Sequence, residues 1–315
     1  MERRPVFIDC DPGIDDAVAL MMAFQAAELD VRGISAVAGN VGLERTLGNA
    51  LKIVELSGAA APVYAGADRP MFGAPIAAEH FHGEDGLLGA ELPAPVRMPE
   101  AGPAWEALRR EAEAWGGALE VVATGPLTNL GIALSLYPEL AGLVRCVTMM
   151  GGAAAFGNTT PAAEFNVLAD AELVFRSGIP VVMCGLDVTH STYITAREVE
   201  ELAALGSVQA RLAAYFMGSG IEENARQFRT GGAPLHDPCA MMYAIDRSLF
   251  ESKPCWIGVE RHGKVTRGKT VTDAYSDAKR TANARLVTGS DREGFIRRMM
   301  ELFVGYGSEM PDEKF

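Results

Sequence analysis

The sequence predicts an α/β fold, a doubly wound and mostly parallel sheet with helices on both faces, in a single domain spanning 1–315. Three observations lead there. Short runs rich in β-branched and apolar residues recur along the chain, each bounded by Gly, Pro or Asp. Stretches with helical apolar spacing lie between them, and such alternation favours a parallel sheet covered on both sides. The composition, 49% hydrophobic and 22% charged over 315 residues, supplies ample core material, with no repeat, low-complexity tract or linker to divide it.

Val6–Cys10 reads as the first strand, and the helix expected at about Ala17–Ala27 follows a short acidic turn. A strand at Val31–Val37 and a helix at Leu43–Ser57 come next. The Gly/Pro-rich segment at about Asp68–Pro99 then breaks the rhythm, and loops that long inside a domain are usually functional. Alternation resumes with a helix at Pro103–Trp115, a strand at Leu119–Thr124, a helix at Leu127–Tyr137 and a strand at Cys146–Met150. A second Gly/Pro-rich loop, Gly151–Pro161, precedes a helix at Ala171–Ser177 and a strand at Val181–Cys184. Beyond it, Ala196–Phe228 predicts two or more helices, Trp256–Lys279 a small hairpin excursion (about 256–280), and Asp291–Phe303 a closing helix.

Charge and cysteine usage narrow the partners. The formal net charge is -13, from 28 basic and 41 acidic residues, and such a surface repels nucleic acid and anionic membranes. A small neutral or cationic substrate is the expected partner. The basic start Met1-Glu2-Arg3-Arg4 runs into a strand without an apolar leader, and no run is long and apolar enough to span a membrane. The five cysteines are scattered through apolar stretches and read as reduced core thiols, so a cytoplasmic location is expected.

The chemistry concentrates where the first strand ends. Asp9, Asp11, Asp15 and Asp16 crowd around Pro12-Gly13. Asp15 and Asp16 suit the first turn of a helix, where carboxylates cap and meet the helix dipole. Asp9 and Asp11 lie upstream of the turn, beyond what capping explains. Carboxylates this close repel one another, and a hard divalent cation, which takes oxygen ligands, relieves the repulsion. In open α/β sheets this carboxyl edge is also where ligands bind.

Three further segments fall at similar corners. Thr124-Gly125-Pro126-Leu127-Thr128-Asn129 ends a strand with carbonyls freed from ladder bonding, one of which suits a hard cation; a plain corner with local hydrogen bonding explains it as well. Met149-Met150-Gly151-Gly152, followed by Asn158 and Glu164-Phe165-Asn166, offers close backbone approach and acceptors suited to sugar hydroxyls, or else a solvated loop. In His236-Asp237-Pro238, Asp237 reads as a helix cap with Pro238 at the first helical position. That leaves His236 as an acid/base candidate. His80 and His82 read as mobile loop residues.

Taken in order, these motifs, with Gly39-Asn40 and Phe81-His82-Gly83-Glu84-Asp85-Gly86, resemble the inosine-uridine-preferring nucleoside hydrolases from residue 6 to about 245. The resemblance implies a calcium ion at the sheet's carboxyl edge, held by Asp11, Asp16, Asp237 and the Thr124 carbonyl. It implies ribose binding by Asp15, Asn40, Asn158, Glu164 and Asn166, with Met150 lining the pocket. It places His82 near the base, Phe165 beside the sugar and His236 by the leaving base. It also implies a homodimer or homotetramer acting on ribonucleosides.

The physical reading agrees. Cleavage of an N-glycosidic bond passes through an oxocarbenium-like state, which surrounding carboxylates favour. Asp11 is placed to take the proton of the attacking water, and His236 to protonate the departing base, although a helix N-terminus disfavours imidazolium. The sequence departs from the resemblance between Glu222 and Ala233, where Asn224, Arg226, Gln227, Phe228 and Arg229 stand in place of tyrosines. Gln227 and Phe228 are the candidate base readers there, and uridine and inosine the favoured substrates.

Two other functions compete. A haloacid-dehalogenase-type phosphatase also begins with Asp-x-Asp, as in Asp9-Cys10-Asp11, but Gly13 departs from its pattern and Asp15 and Asp16 would repel a phosphate. A non-catalytic calcium- and ribonucleoside-binding protein would have no use for His236.

Overall fold

The computed structural model describes residues 3–168, 170–221, 231–273 and 280–307. Strand β1 (Arg4–Cys10) is buried from Pro5 onward, as its apolar Val6-Phe7-Ile8 run demands. It lies between two parallel neighbours, β2 (Leu29–Ala36) and β4 (Leu119–Ala123). The chain winds outward from β1 through β2 to β3 (Val63–Ala65), then returns to place β4 on the other side of β1. It continues outward through β5 (Val144–Met150) and β6 (Val181–Cys184), all parallel. The winding direction therefore reverses between β1 and β4, and the crevice at their carboxyl ends is the topological switch point where ligands bind in such sheets.

Beyond β6 the sheet gains β11 (Ala284–Ser290) in parallel, then β9 (Phe250–Val259) antiparallel to β11 and β10 (Thr270–Asp273) antiparallel to β9. These complete a nine-stranded sheet, and β7 (Tyr193–Ile194) with β8 (Ala233–Pro234) forms a separate two-stranded ladder.

Alternation along β1 distributes its side chains between two cores. Val6, Ile8 and Cys10 pack with the helices Ile14–Gln25, Val208–Ser219, His236–Ile245 and Arg292–Val304. Phe7 points the other way, into a cluster shared with Ala104–Trp115, Thr128–Leu136 and Ala171–Arg176. Helices thus cover both faces, as the doubly wound reading requires.

Several expectations change in detail. The hairpin expected over about 256–280 is rooted in the central sheet, because β9 begins at Phe250 and pairs along most of its length with β11. The helix carrying Asp237 starts at His236 after Leu235, so Asp237 sits in its first turn and not at the cap. Of the helical stretch expected to Phe228, residues 222–230 lie outside the described residues. All five cysteines are buried and free. Among the described residues no helix is long and apolar enough to cross a membrane.

Candidate active site

The turn after β1 folds its carboxylates inward. Asp11, Asp16 and Asp237 are buried. Oxygen atoms of Asp15, Asp16 and Asp237 lie within 4.8 Å of one another. Asp16 accepts from Gly13 N at 3.1 Å and from Asn40 Nδ2 at 3.1 Å through one oxygen, and from Thr124 Oγ1 at 2.7 Å through the other. Asp11 accepts from Asn40 N at 2.7 Å. Gly39 and Gly125 press against the Asp11 carboxylate so closely that a Cβ on either would collide with it.

This packing leaves the acids starved of positive charge. Burial, then repulsion from Asp16, holds Asp11 well above the ordinary carboxylate range; burial and Asp15 do the same to Asp237. Asp15 is pushed up to about 6 by burial, and its Oδ1 has no hydrogen-bond partner. An all-oxygen donor set with an orphaned carboxylate oxygen fits a hard divalent cation. Asp9 stands apart. It shares its side of β1 with Phe7, accepts from Ser35 Oγ and from Asn129 Nδ2 (2.8 Å for the latter), and is pushed up to about 6 by burial. Asn129 in turn accepts from Ala67 N at 2.8 Å, a long-range tie where local bonding was expected.

The loop after β5 supplies the second wall. Gly151 and Gly152 adopt φ of +154° and +72°, conformations that favour glycine, and Gly152 N donates to Glu164 Oε2 at 2.8 Å. Glu164 also accepts from Asn166 N at 2.9 Å, and burial pushes it up to about 7. Asn166 Nδ2 donates to the carbonyls of Thr124 at 2.6 Å and Met150 at 3.1 Å. Thr270 Oγ1, on β10, accepts from Ala153 N at 2.8 Å, and Lys269 Nζ donates to Ala154 O at 2.8 Å. The hairpin therefore clamps this loop.

The structure brings Asp11, Asp15, Asp16, Asn40, Thr124, Met150, Glu164, Asn166 and Asp237 into one connected cluster. Asn158 does not join it. Its side chain is exposed and folds back to accept from Phe165 N at 3.0 Å, leaving Phe165 half-buried. His82 is not a mobile loop residue. It ends a short helix, Glu79–His82, is buried, and accepts from Ile14 N at 3.2 Å. It lies 4.0 Å from Asp15, yet burial pushes it down to about 4, so this contact is not an ion pair at neutral pH. Gln227 and Phe228 lie outside the described residues.

His236 accompanies Asp237 in the same helical turn, its ring half-buried. Burial, then two neighbouring histidines, pushes it down to about 3, so the imidazole is neutral, contrary to the imidazolium a proton donor would need. Thr189 Oγ1 lies 2.9 Å from its Nδ1, and the rings of His236 and His190 are 5.5 Å apart. His190 meets Phe156 edge-on at 5.0 Å. Sequence reasoning missed Thr189, His190 and Phe156. The available signal was the position of Leu186–Thr189 just past the carboxyl end of β6, on the sheet edge where ligands bind in such folds.

Known proteins share this architecture. Residues 6–297 match the family described as "Inosine-uridine preferring nucleoside hydrolase". The "Pyrimidine-specific ribonucleoside hydrolase RihA" of Shewanella sp. (strain ANA-3) is 39% identical over 311 residues, covering 96% of this chain and 97% of that protein. Its namesake from Salmonella enteritidis PT4 (strain P125109) is 41% identical over 305 residues, covering 94% and 97%. Among solved structures, the "Purine-Preferring Ribonucleoside Hydrolase from Gardnerella vaginalis" superposes with a TM-score of 0.90 at 30% identity, covering 96% of this chain and 99% of that one.

Proposed function

As a member of the inosine-uridine preferring nucleoside hydrolase family, this chain is an N-glycosyl hydrolase of ribonucleosides, and we propose that it is calcium-dependent and favours uridine. The observation that carries the metal reading is the oxygen-only cluster of Asp15, Asp16 and Asp237, the last two buried, with its orphaned Asp15 oxygen. The family is metal-dependent; calcium is proposed here because the donors are all hard oxygens. Asp11, Asp16, Asp237 and the Thr124 carbonyl would hold the ion. When bound, it would supply positive charge that holds water and the ribose diol and makes that water more acidic.

The remaining steps belong to the chain's own residues. Asp11 accepts the proton of the attacking water, whose oxygen bonds to the anomeric carbon as the bond to the base nitrogen breaks. Asp15, Asn40, Glu164 and Asn166 hold the sugar hydroxyls, and Asn158 joins them when its loop closes on substrate. Met150 lines the sugar pocket, and Phe165 and His82 flank the sugar and base. The carboxylates lower the energy of positive charge developing on the sugar ring. Gln227 and Phe228 read the base in this proposal, and the working assembly is a homodimer or homotetramer in the cytoplasm.

Two relatives with pyrimidine-specific names support uridine ahead of inosine. The purine-preferring name of the Gardnerella protein, at lower identity, shows that this fold serves either base. The test is a panel of uridine, cytidine, inosine and adenosine assayed for free ribose before and after chelation. Uridine should be cleaved fastest, with activity lost to chelator and restored by calcium. Inosine faster than uridine would overturn the base assignment; activity indifferent to chelation would overturn the metal.

A further inference from the structure

We infer that Thr189 is a positioning residue that fixes His236 as the tautomer protonated on Nε2, so that the ring presents a hydrogen-bond donor to the leaving base. The inference rests on the hydrolase reading above and goes beyond it in naming the residue that prepares His236.

The argument begins with a buried hydroxyl. Thr189 is fully buried, and its Oγ1 lies 2.9 Å from His236 Nδ1, its hydrogen-bond partner among the described residues. Its neighbours each keep a local bond: Ser191 and Thr192 donate back to the Val188 carbonyl at 2.7 and 2.9 Å, the usual choice for hydroxyls in this setting, and Thr192 Oγ1 also lies 2.6 Å from Ser290 Oγ. Thr189 turns its hydroxyl across to another element. A buried hydroxyl that donates to nothing is costly, and a lone pair on Nδ1 is the acceptor within reach. Nδ1 must then be unprotonated, and in a neutral imidazole the proton resides on Nε2. The position of His236 at a helix N-terminus favours this neutral form.

The ring plane is held as well. His190 packs against His236 with the rings inclined by 60°, and Phe156 braces His190 at 80°. Asp187, in the same short helix as Thr189, accepts from Ala154 N at 2.6 Å and Ala155 N at 3.1 Å, and so ties that helix to the loop carrying Phe156. One element thus sets the tautomer, the tilt and the loop. A hydrogen bond from Nε2–H to a carbonyl oxygen of the base stabilises the negative charge gathering there as the glycosidic bond lengthens. The proton stays on the ring at this stage.

The experiment uses the calcium-loaded full chain with Thr189→Val and Thr189→Ser. Uridine needs help with its leaving group, whereas 4-nitrophenyl β-D-ribofuranoside leaves as a stable phenolate. Thr189→Val should lower the ratio of kcat for uridine to kcat for the nitrophenyl riboside by about tenfold or more, the size of one hydrogen bond by rate arithmetic. The KM for uridine should change little, and Thr189→Ser should restore the ratio. Parallel losses on both substrates would overturn the inference. Long-range ¹H–¹⁵N spectra of the wild-type protein, with His236 assigned by His236→Gln, give a second reading that does not depend on any Thr189 variant folding. An Nε2–H pattern is expected, and an Nδ1–H pattern would overturn the inference. A wild type that releases ribose from no ribonucleoside would instead overturn the hydrolase reading, with the tautomer still read from the same spectra.

Discussion

Asn166 donates its side-chain amide to the carbonyl of Thr124 at 2.6 Å, while the hydroxyl of that same Thr124 sits 2.7 Å from Asp16. One residue thus joins the loop after β5 to the acid cluster. A carbonyl oxygen has two lone pairs, so the Asn166 bond leaves one for a cation and also aims it. Asn166→Ala should therefore weaken two things together: KM for uridine should rise, and calcium affinity should fall by ~10-fold or more, as when outer partners of metal ligands are removed. Calorimetry showing unchanged calcium affinity alongside a raised KM would break the link.

Asp11→Asn should fold normally and lose turnover by ~10²–10⁴ or more, because it removes the proposed acceptor for the water's proton and a proposed ligand charge at once. Retention of more than about a tenth of wild-type kcat would exclude Asp11 as the base.

Gly125→Ala and Gly39→Ala each drive a methyl group into the Asp11 carboxylate. Overpacking of this kind costs ~1–3 kcal/mol. Activity should suffer beyond what a modest fall in melting temperature explains, since the displaced group is the proposed base itself. Two alanine variants with wild-type kcat would show that the Asp11 carboxylate tolerates displacement.

Metal-free protein should show an inverted acid profile. Glu164 and Asp15 have folded-state pKa values raised to about 7 and about 6, above the ordinary 4.5 and 3.8. Groups raised in the folded state, with Asp11 and Asp237 higher still, contribute stability that is present at low pH and is lost as pH climbs through the folded value. Together they outweigh His82 and His236, whose lowered values of about 4 and about 3 act in the opposite sense. Chelated protein should accordingly melt lower at pH 7.5 than at pH 5 by about several degrees, and calcium should restore the loss. A chelated sample that becomes more stable over this interval would show that the acids are already compensated within the protein.

Deoxyuridine should be a poor substrate. Sites built around a hydroxyl discriminate by ~10⁴ or more against the analogue lacking it, because their buried polar groups lose their partner. Comparable kcat/KM for uridine and deoxyuridine would mean that the sugar's 2'-hydroxyl is not held by this cluster.

Local pattern made the parallel frame readable. Val181–Cys184 has the ends that its apolar run predicts, and the helix starting at Leu43 differs by one residue at its far end. What local pattern lacks is pairing. β11 and the first half of β9 joined the sheet unannounced because their partners lie far away in sequence, and β3 is only three residues long. At the site, the acid cluster announced itself through its density of charge around Pro12-Gly13. Thr189 did not, since a threonine after a strand is common and its significance depends on a histidine that arrives much later. His82 misled for the opposite reason. Its flanking glycines suggested mobility, while its burial against Gly13 comes from tertiary packing.

The clamp that β10 places on Ala153 makes the candidate site a composite of stretches far apart in the sequence. A chain that ends at Met150 holds Asp11 and Asp16 but lacks both Asp237, which finishes the acid cluster, and Thr270, which seats the loop. If the proposed site is correct, products that end before Asp237 should release no ribose, and ribose release in a refolding mixture should count only those chains whose first strand and last hairpin have met.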